Sequence, residues 1–158
     1  QRQKNYARTL KLPTIYTPQV VVNGVEQFVG SDKVRLRKTI DGDLQLPAQK
    51  MLEITAVTKD DKEIYVSYKT NDTGNLNVAL VQLKAENKIS AGENHGASLH
   101  HVNIVRDIKT IPLEANEGKA VVTVPNGLSH HDCMVIAFAQ RGNDLKITSA
   151  AEAKIDDQ

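Results

Sequence analysis

Residues 15–30 read IYTPQVVVNGVEQFVG, and the organisation of the chain follows from this stretch. Asn23-Gly24 lies between two apolar runs, which predicts a β-hairpin, because a type I′ turn requires positive φ at both central residues. Pro18 has no amide hydrogen to donate to a neighbouring strand, so it belongs at the first residue of a strand or on an edge. An ordered X-Pro bond at such a kink can be cis. We therefore expect a cis bond between Thr17 and Pro18.

Helical patterns flank the hairpin on both sides. Upstream, residues 2–10 place Tyr and Leu side chains at helical spacing. Downstream, Ser31 is the expected N-cap of a helix over residues 32–41, and Gly42 is the expected stop. The hairpin and the helix that follows it form a ββα unit. Residues 41–49 are interpreted as a linker after this unit.

From residue 51 onward the apolar period changes to two, which is typical of strands. Turn residues such as Asp60-Asp61 and Gly142-Asn143 separate the apolar runs. Regularly punctuated short strands predict an antiparallel β-sandwich of about seven strands. The predicted strands are 51–58, 63–70, 76–84, 101–111, 119–124, 133–140 and 145–154.

The composition of the chain gives no support for nucleic-acid binding or for a membrane span, and its charge is unevenly distributed. A net charge of +1 gives no support for nucleic-acid binding, and no apolar run is long enough to span a membrane. Residues 1–44 hold eight Lys/Arg against four Asp/Glu, a charge of +4, and residues 45–158 carry −3. The division is explained by a basic helical part beside an acidic sheet, or by an acidic partner for the basic end.

Cys133 is the single cysteine of the chain. It cannot form an intramolecular disulfide or a Cys-x-x-Cys couple. Its place in the apolar run CMVIAFA predicts a buried, inert thiol.

Two motifs carry a family resemblance: YTPQVVVNG followed by VGSD at residues 16–32, and GENHGASLHHVNIVRD at residues 92–107. The first resembles the C-terminal ββα half of a thioredoxin fold. Together they resemble an uncharacterised family of secreted bacterial proteins that joins a thioredoxin-like domain to a C-terminal β-sandwich. The resemblance implies an α+β chain, with a partial thioredoxin-like domain at residues 1–44 and a sandwich at residues 45–158. The family's Cys-x-x-Cys lies upstream of the position that matches Gln1, so a longer parent protein is expected.

The resemblance also implies a binding site at Tyr16, Thr17 and Pro18, where a kinked strand start leaves main-chain groups free for an extended substrate peptide. The alternative is a proline that merely begins an edge strand. Because the other half of the thioredoxin-like domain is missing, the strand at Val20–Val22 becomes an apolar edge. Such edges recruit other strands. We therefore expect a partner chain that carries the missing half, or a homo-oligomer formed by strand pairing.

The second motif supplies a candidate loop site at Asn94, His95, His101, Asn103 and Arg106. The loop is either a ligand-binding loop or a structural brace, with Asn94 bonded to loop backbone and Arg106 bonded to a carboxylate such as Glu93. We expect no bound metal, because His100 and His101 face opposite sides of a strand and no short HxH or HxxxH spacing occurs. The alternative is a Zn²⁺ or Cu²⁺ site formed by His95 with one histidine from each of the pairs His100-His101 and His130-His131.

The function expected from these features is that of a secreted or periplasmic thioredoxin-like protein of unknown substrate. A role in thiol–disulfide chemistry belongs to its full-length form. This chain should be redox-inactive and without cofactor or catalytic residues, because an attacking thiolate pair is missing. The alternative is a non-enzymatic envelope module that binds through the sandwich.

Overall fold

The computed structural model describes residues 1–47, 50–92 and 95–158. A one-turn 3-10 helix at His130–Asp132 precedes the eighth strand. In chain order, the helices and strands are α1 (Arg2–Thr9), β1 (Gln19–Val22), β2 (Glu26–Val29), α2 (Lys33–Leu44), β3 (Leu52–Thr58), β4 (Glu63–Thr70), β5 (Asn75–Lys88), β6 (Ser98–Pro112), β7 (Glu117–Thr123), β8 (Cys133–Gln140) and β9 (Ile147–Asp157).

The hairpin of β1 and β2 forms at its predicted turn. Asn23 and Gly24 have φ of 48° and 73°, and the amide of Val25 donates to the carbonyl oxygen of Val22 at 3.0 Å. Both central residues are therefore left-handed, as a type I′ turn requires. The Thr17–Pro18 bond is cis, as predicted.

The second helix differs from its prediction at both ends. Its N-cap is Asp32 rather than Ser31, and the Asp32 carboxylate accepts a hydrogen bond from the amide of Arg35 at 3.0 Å. The helix then continues through Gly42 to Leu44. The predicted stop at Gly42 is wrong because a glycine ends a helix only where the chain adopts the left-handed conformation, and no such φ occurs there.

All seven strands predicted after residue 50 are present, but their arrangement is not an antiparallel sandwich. They form one curled sheet in the order β6-β5-β8-β9-β3-β4-β7. The sheet is mixed, since the end of β9 runs parallel to β3 with Ala56 opposite Ile155. Its two outer strands approach each other, because Asp107 Oδ2 on β6 accepts a hydrogen bond from the amide of Thr123 on β7 at 2.8 Å.

The core lies inside the curl of this sheet. Alternate residues of β4 read buried and exposed without a break, which is the pattern of a strand with one face on a core. The largest fully buried aliphatic side chains are Ile64, Val66, Leu76, Val78, Leu80, Val122 and Val135. Full burial of aliphatic side chains of this size stabilises a fold by about 1.5–3 kcal/mol each.

Helix α1 lies against the outer face of β5 and β8. Arg2 Nη1 donates to the buried Asn77 Oδ1 on β5 at 2.9 Å, and Gln140 Nε2 at the end of β8 donates to Tyr6 Oη at 2.8 Å. The N-terminal segment thus contacts the sheet through polar groups. The division into domains at residues 44 and 45 stays a prediction.

The predicted α+β class is wrong. Strands hold 51% of the described residues and helices 15%, so the chain is mostly β. The sheet of the N-terminal segment has only two strands of four residues each. The expectation of a thioredoxin-like remnant is corrected accordingly: a hairpin between two helices reproduces the local ββα pattern without the sheet that defines that fold.

Candidate functional site

The outer edge of β1 presents unpaired backbone groups. The amide of Gly30 donates to the carbonyl oxygen of Pro18 at 2.8 Å, which sets the phase of the antiparallel ladder with β2. Because bonded and non-bonded pairs alternate along such a ladder, the backbone groups of Val20 point toward β2, and those of Gln19 and Val21 point away. Within the described ranges, no backbone group is bonded to the outward groups of Gln19 and Val21.

A shallow cleft of about 360 Å³ lies between α1 and β1. It is lined by Gln3, Tyr6, Thr17, Gln19 and Val21. Gln3 Nε2 donates to the carbonyl oxygen of Tyr16 at 3.0 Å, which ties the helix to the start of the strand. The cleft therefore has one wall of helix and one of strand.

The N-terminal segment that carries this cleft is rich in cations, although none of them is part of the cleft lining. The first 25 residues contain four cations and no carboxylate. The cations are Arg2, Lys4, Arg8 and Lys11, and all except Arg2 are exposed. The electric field of several like charges attracts a ligand of opposite sign. These cations therefore favour an acidic ligand over a basic one.

Of the predicted binding residues Tyr16, Thr17 and Pro18, the structure places Thr17 in the cleft, and the other two are its neighbours in the chain. The hydroxyl of Tyr16 donates to Gln27 Oε1, which also accepts from Gln19 Nε2 at 3.1 Å. The three residues are thus held beside the β1 edge, and their role in binding stays a prediction.

The second predicted group lies along the loop before β6 and on β6 itself. Asn94 falls outside the described residues, as does Glu93. His95 is an exposed turn residue whose amide donates to the carbonyl oxygen of Gly92 at 3.0 Å. His101 lies opposite Ala85 on β5. These two histidines belong to different elements, so the structure gives them separate local surroundings.

Asn103 and Arg106 mark irregular points of β6. Asn103 has a φ of 53°. Arg106 is left without a partner on β5, because Val105 and Asp107 pair with consecutive residues there. The side chain of a residue in a β-bulge points in a different direction from that in a regular strand. The Arg106 guanidinium donates to Gln82 Oε1, with Nε at 2.8 Å. The observed partner of Arg106 is an amide, and binding by this predicted group stays untested.

A cluster of titratable side chains around His130 was not predicted. His130 lies in the 3-10 turn and its side chain is 4% exposed. Its Nδ1 lies 2.7 Å from Asp61 Oδ1, and its Nε2 lies 2.8 Å from Asp157 Oδ1. The ring of His131 stands beside it, with 3.9 Å between ring centroids. No sequence spacing indicates this cluster, because a turn, a loop and a strand end supply its members.

Cys133 is buried, as predicted. Its thiol donates to the carbonyl oxygen of Ser129 at 3.5 Å. Burial, followed by the charge of Asp132, raises the pKa of the Cys133 thiol. A buried thiol with a raised pKa is a poor nucleophile, so nothing around Cys133 supports thiol–disulfide chemistry.

Comparison with solved structures finds two matches. A protein of Agrobacterium tumefaciens matches with a TM-score of 0.59 and 16% identity, over 96% of this chain and 67% of that chain. At this identity the likeness shows the fold alone. A domain of the outer membrane lipoprotein Omp28 of Porphyromonas gingivalis matches with a TM-score of 0.42 and 17% identity, over 72% of this chain and 93% of that chain. That likeness is too low to support an argument about fold or role.

Among curated protein sequences, none matches this chain. In the described part of the chain, no helix has the length and hydropathy to cross a membrane. A family model for proteins of unknown function matches residues 1–140. The predicted resemblance to an uncharacterised family is confirmed, whereas a thioredoxin-like domain is not shown. The chain therefore belongs to the family of proteins of unknown function DUF1223.

Proposed function

We propose that this chain is a non-enzymatic binding module that takes an extended, acidic polypeptide segment onto the outer edge of β1. The observation that carries the proposal is the outward direction of the backbone amides and carbonyls of Gln19 and Val21. A strand edge of this kind adds an extended peptide through main-chain hydrogen bonds, and neighbouring pockets select its side chains. The cleft beside Thr17 and Tyr6 supplies such a pocket.

The charge of the N-terminal segment sets the expected sign of the ligand. Lys4 and Arg8 are exposed on α1, the helix that supplies the cleft residues Gln3 and Tyr6. Charge complementarity increases association rates and suppresses partners of like charge. A second copy of this chain brings the same four cations to the interface, which disfavours pairing of two β1 edges. An acidic segment of another protein is the occupant that fits both features.

The test is fluorescence anisotropy with a short labelled peptide that alternates threonine and glutamate. We expect the protein to bind it, and to bind a matched threonine–lysine peptide more weakly, because residues 1–25 carry four cations and no carboxylate. Val21→Pro removes one outward amide without breaking the β1–β2 ladder. Loss of one hydrogen bond and the added ring should weaken binding at least about tenfold, or 1.4 kcal/mol.

Val29→Pro is the matched control. Val29 pairs with Gln19, so its amide points away from β1, toward the other edge of the hairpin. This variant should bind the peptide like the unmodified protein. Equal binding by Val21→Pro, equal loss in Val29→Pro, or equal affinity for both peptides would contradict the proposal. Size-exclusion chromatography that gives a dimer sensitive to Val21→Pro would instead identify a second copy as the occupant.

We also infer that the protein works outside the cytoplasm. The support is the sequence resemblance to a secreted bacterial family, carried by the motifs at residues 16–32 and 92–107. Cell fractionation of the native gene product tests this inference. Recovery in the periplasm or the medium is expected, and recovery in the cytoplasm would contradict it.

A further inference from the structure

The buried imidazole of His130 is held between two carboxylates. Asp61 comes from the turn between β3 and β4, and Asp157 ends β9. Both contacts, at 2.7 and 2.8 Å, are as short as charge-assisted hydrogen bonds. The histidine side chain is 4% exposed, whereas those of Asp61 and Asp157 are 79% and 67% exposed. The imidazole is therefore held by the surrounding protein, whereas the two exposed carboxylates have room to change position.

Both ring nitrogens of His130 face a carboxylate oxygen. An ionised carboxylate only accepts hydrogen bonds, and a neutral imidazole has one N–H to donate. If Nδ1 of His130 carries the hydrogen that bonds Asp61, the lone pair of Nε2 faces the oxygen of Asp157. Two lone pairs at 2.8 Å repel each other unless a proton or a metal ion lies between them.

The second imidazole favours a metal ion over a proton. One ligand atom each from His130, His131 and Asp157 lies within 4.8 Å of the others. Neighbouring residues on a strand point to opposite sides, but His130 and His131 lie in a 3-10 turn, where their rings come together. His130 and His131 are therefore not directed to opposite sides, as two neighbouring histidines on a strand would be.

We propose that His130, His131 and Asp157 bind a divalent transition-metal ion of the Zn²⁺ class, with Asp61 orienting His130. Two imidazoles and one carboxylate suit Zn²⁺ or Cu²⁺ better than Mg²⁺ or Ca²⁺, which prefer oxygen ligands. Three protein ligands leave the fourth tetrahedral position to water. The bond from Nδ1 of His130 to Asp61 is the carboxylate–histidine–metal arrangement, in which the carboxylate fixes the tautomer that directs Nε2 at the ion.

The geometry requires one contact to open and the His131 ligand atom, which lies within 4.8 Å of the other two, to move inward by up to about 1.5 Å. Zn²⁺ lies about 2.0–2.1 Å from nitrogen and oxygen ligands, so donor atoms of a tetrahedral site are about 3.3 Å apart. The contact between Nε2 of His130 and Asp157 must open by about half an ångström from its 2.8 Å. Asp157 is exposed and free to make this movement. His131 is also exposed, and its amide is held by Ser129 Oγ at 3.3 Å, which keeps the turn in place.

The experiment is isothermal titration calorimetry of the untagged protein with ZnCl₂, and with MgCl₂ as the contrasting ion. We expect one Zn²⁺ per chain and no heat of binding with Mg²⁺. Absorbance after addition of Co²⁺ gives a second readout, because a tetrahedral Co²⁺ site absorbs strongly in the visible range.

Variants at exposed positions separate loss of the site from loss of the fold. His131→Ala and Asp157→Asn should each abolish Zn²⁺ binding while the far-UV circular dichroism is unchanged. Asp61→Asn should weaken binding about 10–100-fold, as is usual for a group that orients a metal ligand. His100→Ala, at an exposed histidine of β6, is the matched control and should bind like the unmodified protein. Absence of Zn²⁺ binding, binding that survives His131→Ala and Asp157→Asn, or binding lost in His100→Ala would each overturn the proposal.

Discussion

Gly24 at the tip of the hairpin lies directly against the backbone of Leu145, so close that an added Cβ would stand 2.0 Å from the Leu145 carbonyl oxygen. Next to this contact, the amide of Ile147 donates to the carbonyl oxygen of Asn23 at 2.9 Å. The hairpin is thus joined to the start of β9 through its backbone. This junction fixes the position of β1 relative to the sheet, and with it the direction of the binding edge.

Gly24→Ala should destabilise the protein. The new methyl group meets the Leu145 carbonyl, and alanine is strained at a φ of +73°. A residue forced into the left-handed region costs of the order of 1–3 kcal/mol. Gly42→Ala is the control, because nothing lies within 4 Å of its added Cβ and the position is helical. Chemical denaturation should show a loss for Gly24→Ala and no loss for Gly42→Ala, and equal midpoints would contradict the junction described here.

Arg2→Ala should detach α1 from the outer face of the sheet. Arg2 donates to Asn77, which is 1% exposed, and its guanidinium lies 5.4 Å from the centre of the Phe138 ring. A hydrogen bond from a charged group to a buried partner contributes about 1.5–3 kcal/mol. Arg8→Ala is the control on the same helix, because Arg8 is exposed. Urea denaturation should show this loss for Arg2→Ala alone, and faster amide exchange in α1 would identify the helix as the affected element.

Local features of the fold were predictable because their causes are local. Asn23-Gly24 specifies its turn through the φ angles that those two residues tolerate. The period-two pattern likewise marks β4, where burial alternates at every residue from Glu63 to Thr70. Strand positions follow from such patterns, but the choice of partner strand does not. The parallel contact of Ala56 with Ile155 joins positions about a hundred residues apart, and this contact makes the sheet mixed and continuous.

The two candidate sites differ in the same way. The β1 edge could be anticipated because Pro18 and the hairpin pattern are adjacent in sequence. The His130 cluster could not, since Asp61 and Asp157 lie almost a hundred residues apart in the sequence and meet only through the parallel pairing of β3 and β9. Adjacent histidines alone predict opposite directions on a strand, and only the 3-10 turn brings His130 and His131 together.

Cys133 should resist alkylation in the folded protein. It is 6% exposed, and burial raises the pKa of its thiol, so little thiolate is present and reagent access is poor. Intact-mass spectrometry after timed treatment with iodoacetamide should show unmodified protein under native conditions and one added group in guanidinium chloride. Rapid modification under native conditions would show that β8 opens locally or that the thiol is exposed.

Asp144→Asn should lower stability at neutral pH and leave it unchanged in acid. The backbone amide of Lys146 donates to Asp144 Oδ1 at 3.1 Å, and Arg141 Nε donates to the same oxygen at 3.0 Å. These bonds, the amide first, lower the pKa of the Asp144 carboxyl in the folded state below its usual value of 3.8. A group with a depressed folded pKa stabilises the fold above its unfolded pKa, and this stabilisation is lost as pH falls through the folded value. The denaturation midpoints of the variant and the unmodified protein should therefore differ at pH 7 and converge as the pH falls below 3.8 and through the lowered folded pKa. Glu114→Gln, at an exposed carboxylate, is the control and should have the denaturation midpoint of the unmodified protein at pH 7. A difference for Asp144→Asn that persists in acid would assign its effect to the side-chain shape rather than to the charge.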